Sequence, residues 1–345
     1  MTRNDQKRVT IVDIAREAGV SIKTVSRVLN REEGASAEVR SRVETVIEKM
    51  GYRPNASARS LSSRRSYLIG VIFQRLGGYH YVGEVQTGAL RATRRGGYQL
   101  VVEQVETPDG VFDAEAVTAI LRNTTFDGLV LTPPLCDDPR ILEAVEAADL
   151  AYVRMAPNAD LDRAPYVWMD DEGAAREQTL SLWEMGHRRI AFVAGPEDHR
   201  AAIQRRQGYL RAMAERGVAV PDAWIASGDF FGMSGFKAGD ALLSLPEPPT
   251  AIFAGNDEMA IGVLAAAAKH GVPVPDRLSV VGFDNAPNGA SAWPPLTTVH
   301  QPIAEMAEAA VDLLIKRFGD ARFREQEHSR KLDYRLVVRD SVSPV

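Results

Sequence analysis

Two groups of residues in this 345-residue chain carry side chains with chemistry to offer. The first lies within residues 9–30, VTIVDIAREAGVSIKTVSRVLN. Ile22, Lys23, Thr24, Ser26, Arg27 and Asn30 fall on the face of a helical pattern opposite Val25, Val28 and Leu29. Hydroxyls, two cations, an amide and one bare aliphatic suit phosphate oxygens and base edges. The second group is spread through the rest of the chain: Arg205, Phe230, Asn256 and Asp284. Asp284 follows the apolar run VVGF, and its carboxylate can accept hydrogen bonds from adjacent hydroxyls, as a sugar offers. Asn256 follows TAIFAG and supplies a donor and an acceptor. Arg205 presents a planar fork suited to hydroxyl pairs or a carboxylate. The ring of Phe230 can stack on the C–H face of a sugar. Read singly, each has a plainer role: Asp284 and Asn256 as helix or turn caps, Arg205 as a surface ion pair, and Phe230 as core.

The elements that must position these groups follow from local pattern. Val12, Ile14, Ala15 and Ala18 recur at helical spacing and predict a first helix with one buried face. Thr10 is placed to cap it, and Gly19 to end it in a left-handed conformation. Ser21 caps a second helix, which Val25, Val28 and Leu29 fold back onto the first. A third helix is predicted from Ser36 to Met50, with Val39, Val43, Val46 and Ile47 on one face and Gly51 as its stop. Beyond Pro54, Asn55 could cap a helix of about two turns in the Ser/Arg-rich segment 54–66. Alone, such a helix is too short to persist in water.

From Tyr67 the pattern alternates. Apolar strands are predicted at 67–73, 98–105, 127–132, 151–155, 189–195, 250–255 and 278–283. Amphipathic segments lie between them, among them 84–95, 171–185, 202–216, 234–245, 257–270 and 303–318. This predicts parallel sheets covered on both faces. The number of βα units favours two Rossmann-like subdomains with a cleft between them, where ligands meet the carboxyl ends of strands.

Composition narrows the class. Hydrophobic residues at 45% and charged residues at 25% are those of a globular protein. Residues 1–66 hold 14 Lys and Arg against 8 Asp and Glu, a net +6 that leaves −11 for the rest of the chain's −5. A basic head on an acidic body concentrates phosphate attraction at one end. No apolar run is long enough for a membrane span, and the N-terminal residues lack a signal-peptide pattern. The single cysteine, Cys136, reads as a buried small residue in a reducing, cytoplasmic protein. There is no nucleophile elbow, Walker loop, HExxH or dinucleotide fingerprint, and the histidines show no metal-ligand spacing. An enzyme is therefore not expected, nor a metal or cofactor.

Head, linker and paired α/β body, in this order, resemble the LacI/GalR family of bacterial transcriptional repressors. The motifs are VTIVDIAREAGVSIKTVSRVLN with GYRPNASARSL, then GHRRIAFVAGP, RRQGY, GDFFGMSGF, AGNDEMAIG, VVGFDN and PPLTTVHQP. The resemblance implies an N-terminal three-helix helix-turn-helix domain (1–53), a hinge helix (54–66) and a periplasmic-binding-protein-like body (67–345). The body's two subdomains are expected at roughly 67–168 with 300–325, and 169–299 with 326–342. By the same resemblance Ile22, Lys23 and Arg27 read bases in the major groove. Thr10, Ser21, Thr24, Ser26, Asn30 and Ser36 fall at DNA-backbone positions. Asn55, Ala58 and Leu61 belong to a minor-groove hinge, with Leu61 as its wedge.

Arg205, Phe230, Asn256 and Asp284 converge, by analogy, on an effector cleft. Asp257 is expected to cap its helix, and Asp170 is left without a role. After the first body strand, relatives usually carry Asn-Pro followed by aromatics. Here the segment is Gln74-Arg75-Leu76-Gly77-Gly78-Tyr79-His80-Tyr81, which adds Tyr79, His80 and Tyr81 as possible ligand contacts. The function implied is a homodimeric repressor released from a pseudo-palindromic operator by a carbohydrate-like inducer. A corepressor-dependent regulator with a non-sugar metabolite is the alternative, and a sugar receptor without a DNA role a further one.

Overall fold

Caps set the N-terminal helices. The computed structural model describes residues 9–29, 34–52, 65–74, 79–105, 114–197, 199–319 and 329–345. The chain divides into two units, Met1–Tyr67 and Leu68–Val345. In the first, α1 (Ile11–Ala18) starts at Thr10, whose Oγ1 accepts from the Asp13 amide while Asp13 Oδ2 accepts from the Thr10 amide. This reciprocal capping box goes beyond the single cap read from the sequence. Gly19 closes α1 at φ 64°. Ser21 Oγ accepts from the Thr24 amide at 3.1 Å and opens α2 (Ile22–Leu29). Ser36 caps α3 (Ala37–Met50), which Gly51 ends. Ile14, Val25 and Val43 are fully buried at the centre of this small core. Val12 is a correction: it is 45% exposed. Ile11, Ile14, Ala15 and Ala18 form the inward i, i+3, i+4, i+7 stripe, and Val12 lies about 100° of helical rotation away from Ile11.

The second unit is an α/β body with two parallel sheets. Its elements in chain order are β1 (Leu68–Gln74), α4 (Tyr79–Gly96), β2 (Gln99–Val105), α5 (Ala114–Asn123), β3 (Gly128–Leu131), α6 (Pro139–Ala147), β4 (Ala151–Met155) and β5 (Tyr166–Trp168). There follow α7 (Asp171–Glu184), β6 (Ile190–Ala194), α8 (Arg200–Glu215), β7 (Ile225–Ser227), α9 (Gly232–Leu243), β8 (Ala251–Ala254), α10 (Asp257–Lys269), β9 (Ser279–Val281) and α11 (Pro287–Ala290). The last are β10 (Thr298–His300), α12 (Ile303–Gly319), β11 (Ser329–Lys331) and β12 (Arg335–Val337).

The first sheet runs β11-β5-β4-β3-β1-β2 and the second β7-β6-β8-β9, with β10 and β12 forming an antiparallel ribbon between them in sequence. Every residue of β3 and of β8 is buried, as expected for strands covered on both faces. The chain passes from one sheet to the other after β5, around β10, and again between β11 and β12. Residues 329–331 therefore depart from the expected grouping of 326–342 with the second subdomain. They pair with Tyr166–Trp168 in the first sheet. Ser-Arg-Lys is exposed and polar, so main-chain pairing alone places it there.

The tail beyond β12 is stitched to the second sheet. The Val280 amide donates to the Ser341 carbonyl at 2.9 Å, and the Ser343 amide to Ser279 Oγ at 3.0 Å. His187 is buried beneath this tail, its ring nitrogens each 2.9 Å from a hydroxyl, Thr250 Oγ1 and Ser279 Oγ. Among the described residues, no helix is long and apolar enough to cross a membrane.

The helix after the second crossover, α12, returns to the first sheet and packs along α4. The two backbones approach so closely at Gly88 that a Cβ there would run into the Ala304 carbonyl. Gly88→Ala should therefore lower stability by about 1–3 kcal/mol through overpacking. The check is the urea midpoint at unchanged slope; an unchanged midpoint would show that the helices separate freely.

Candidate DNA-binding face and effector cavity

On α2 the first turn is the exposed one. Ile22 is 48% exposed and Lys23 also faces solvent. Ser21, Thr24, Ser26 and Arg27 continue the same face, with Arg27 half-buried and its guanidinium laid against the turn at Gly34. Ser21 Oγ and Thr24 Oγ1 are 2.8 Å apart, so the two hydroxyls orient each other. Thr10 and Ser36 also stand exposed at helix starts, with their hydroxyl oxygens engaged as caps. An aliphatic and an ammonium at the first turn, backed by hydroxyls and a guanidinium, can pair apolar contact in a groove with charge on flanking phosphates. Asn30, Asn55, Ala58 and Leu61 lie outside the described residues.

In the body, Arg205, Phe230, Asn256 and Asp284 line one cavity together with Tyr81. Arg205 is buried in the second turn of α8. Its Nε donates to Asp171 Oδ1 at 2.9 Å, Nη1 to the Gly255 carbonyl at 2.8 Å and Nη2 to Gln301 Oε1 at 3.1 Å. The guanidinium lies over the Phe283 ring at 3.7 Å, and Asp284 Oδ1 is 3.6 Å away. Arg205 is thus neither a surface ion pair nor a free fork. It is a buried cation that still faces a carboxylate at the cavity wall.

Asp284 ends the second sheet's last strand at φ 111°, followed by Asn285 at φ 60°. Two left-handed residues in a row are unfavourable and must be held by their surroundings. Asp257 does this. It lies within the first turn of α10, where Asn256, not Asp257, is the cap: Asn256 Oδ1 accepts from the Met259 amide. Asp257 instead accepts from the Ala286 amide at 2.7 Å and from Thr298 Oγ1 at 2.6 Å. Asn285 is fixed in turn by Arg339, which donates to its Oδ1 at 2.6 Å. The Asn256 side chain has both polar ends engaged, because Nδ2 donates to the Phe230 carbonyl at 3.0 Å. That bond holds Phe230 at φ 70° with its ring against Gly195 and edge-on to His199. Phe230 is both core and cavity wall.

His80 does not line the cavity. Burial lowers its pKa, while Glu84 and a hydrogen bond to the main-chain carbonyl of Asp284 pull it up. It therefore bridges α4 and the Asp284 turn. Tyr79 starts α4, and its side chain is outside the description. Asp170 caps α7 through the Gly173 amide and pairs with Lys331 at 3.3 Å, joining the two crossover segments on either side of β5. Lining residues that sequence reasoning passed over include Phe73, Val82, Pro133, Ala156, His199 and Gln301. Gln301 stands in the VHQP motif and Phe73 ends the first strand, so position after a strand was the available signal. A wider groove of 760 Å³ runs between α8 and β7, but Arg206, Glu197 and Asp222 on it are solvent-exposed, and it gathers no buried charge.

Removing this many carboxylates from water raises their pKa values. Burial pushes Asp284 up to about 7 against the opposing pull of Arg205, with Asp171 and Glu258 adding to the rise. Burial also pushes Asp257 up to about 8, with Asp284 reinforcing it and the Thr298 and Ala286 hydrogen bonds opposing. Asp171 rises by burial despite Arg205.

Residues 10–55 match the family described as bacterial regulatory proteins, lacI family, and residues 179–342 match a periplasmic binding protein-like domain. Catabolite control protein A of Priestia megaterium is 35% identical over 315 residues, covering 89% of this chain and 92% of its own. A solved lac repressor dimer bound to operator and the anti-inducer ONPF matches with a TM-score of 0.78 at 29% identity, over 98% of this chain and 100% of that one. A complex of the transcriptional regulator CelR with cellobiose matches with a TM-score of 0.72 at 29% identity, over 97% and 100%.

The raised carboxylates fix a pH dependence. The folded chain keeps protons on Asp284 and Asp257 that the unfolded chain releases near the ordinary aspartate value. Their contribution to stability is complete below about pH 4 and is lost as pH rises through about 7 and 8. Asp284→Asn should flatten the fall in stability between pH 5 and 8, measured as urea midpoints of the full chain. A variant whose midpoints track the parent across that window would show that Asp284 ionises freely.

Proposed function

The chain belongs to the lacI family of bacterial regulatory proteins, and we propose that it is a cytoplasmic, homodimeric repressor released from a pseudo-palindromic operator by a small carbohydrate or carbohydrate derivative. The observation that carries the reading is the pairing, in one chain, of an exposed α2 face with an aromatic-lined cavity holding a buried Arg205–Asp284 contact. One head covers too few base pairs for selectivity, and two-fold symmetry doubles the site. Ile22, Lys23 and Arg27 read bases, while Thr10, Ser21, Thr24, Ser26, Asn30 and Ser36 contact the DNA backbone. Asn55, Ala58 and Leu61 form the hinge that enters the minor groove.

Coupling to the effector follows from size. The cavity measures 70 Å³, well below the roughly 300 Å³ at the lower end of small-ligand pockets. A sugar enters only if the two sheets move apart. Arg205 touches Asp171, just past one crossover, and Gln301, within another, so that movement reaches both connections. A ligand with different affinity for the two arrangements shifts the balance between them, with coupling typically of about 1–3 kcal/mol. The relative solved with cellobiose supports a carbohydrate as the ligand class.

The test is DNA binding by the full chain to a duplex selected from a random pool. A symmetric sequence should emerge and bind at least about a thousandfold more tightly than random DNA. Arg27→Ala should cost about 1–3 kcal/mol on that sequence and relax selection at one position per half-site. A sugar that raises the thermal midpoint of the chain should weaken operator binding. Binding of all sequences alike would remove the regulator reading, and a bound sugar without effect on DNA affinity would remove the inducer.

A further inference from the structure

The two walls of the cavity differ in chemistry. The wall from the second sheet carries Arg205, Asn256 and Asp284; the wall from the first sheet presents only carbon at Phe73, Val82, Pro133 and Ala156, with Gln74 and Tyr81 as its polar groups. The polar wall is also less generous than its composition suggests. Asn256 is engaged at both ends, and three of the Arg205 nitrogens already donate to Asp171, Gly255 and Gln301. Asp284 is the principal acceptor left to a guest.

A bare polyol would surrender many hydrogen bonds to water and regain few, and each unsatisfied group costs about 1–3 kcal/mol. A guest with hydroxyls on one end and an apolar group on the other would meet partners at both walls. We propose that the effector is an amphipathic glycoside, with its sugar ring at Asp284 and Arg205 and an apolar aglycone against Phe73, Val82 and Pro133. This rests on the carbohydrate reading above and narrows it.

The experiment is calorimetric titration of the full chain with glucose, galactose, xylose and ribose, each beside its phenyl β-glycoside. For one sugar the phenyl glycoside should bind at least about tenfold more tightly than the parent, a difference of about 1.4 kcal/mol. Val82→Asn places an amide on the apolar wall and should remove most of that gain while leaving the parent sugar's affinity within about twofold. The parent sugar then serves as the control for folding. Equal binding of a sugar and its phenyl glycoside, exclusion of the glycoside, or a gain that survives Val82→Asn overturns the amphipathic effector and leaves the carbohydrate reading in place. No binding by any of the eight compounds overturns both.

Discussion

The guanidinium of Arg205 is the interaction on which the body's architecture converges. It is 4% exposed, and a cation so far from water must be met by partners at nearly every nitrogen. Those partners come from three places in the fold: Asp171 at the start of α7, the Gly255 carbonyl after β8, and Gln301 beside β10. Two lie on segments by which the chain crosses between the sheets, and Asp284 completes the charge around the group. Replacing such a residue by an apolar one would strand Asp171, itself 2% exposed. The ion pair is therefore better understood as fixing where the crossovers sit than as adding stability, since burying a charge pair often gains little net energy.

A second constraint supports the first. Asp284 faces Arg205 only because the turn after β9 adopts two consecutive left-handed residues. Asp257 and Arg339 hold that turn from opposite sides, one through the Ala286 amide and the other through the Asn285 side chain. The same arrangement crowds Asp171, Asp257 and Asp284 around a single guanidinium. Three carboxylates against one cation cannot all stay ionised cheaply in a dry site, which is why two of them titrate near or above neutrality. The geometry that presents a hydrogen-bonding carboxylate thus also makes the cavity sensitive to protons.

Periodicity and caps made much of this legible before any coordinates. Thr10, Gly19, Ser21, Ser36 and Gly51 each stand where their side chain or lack of one demands, because capping is local. The core strands were readable as apolar runs, and Ala151–Met155 coincides with its expected bounds. What escaped was non-local or weakly patterned. Ser329–Lys331 has no apolar signal and owes its place to pairing with β5. The partners of Arg205 lie 34 and 96 residues away, so sequence could nominate the arginine but not its engagement. Asp257 looked like a cap because it starts a helix, yet the preceding Asn256 takes that role and frees the carboxylate for the turn. The apolar wall was missed because Phe73, Val82, Pro133 and Ala156 are individually indistinguishable from core.

That wall bears on how the body can move. When the sheets part, Asp284 and the polar groups near it regain water, which offsets part of the lost contact. The carbon surfaces of Phe73 and Val82 gain nothing from water, and their exposure costs about 25 cal/mol per Å². The cleft is accordingly self-closing on one side and tolerant of opening on the other. A guest that satisfies only the polar wall leaves that cost in place, whereas one that also covers the apolar wall removes it. The asymmetry of the lining, more than the number of polar groups, therefore decides which ligands can hold the two sheets apart.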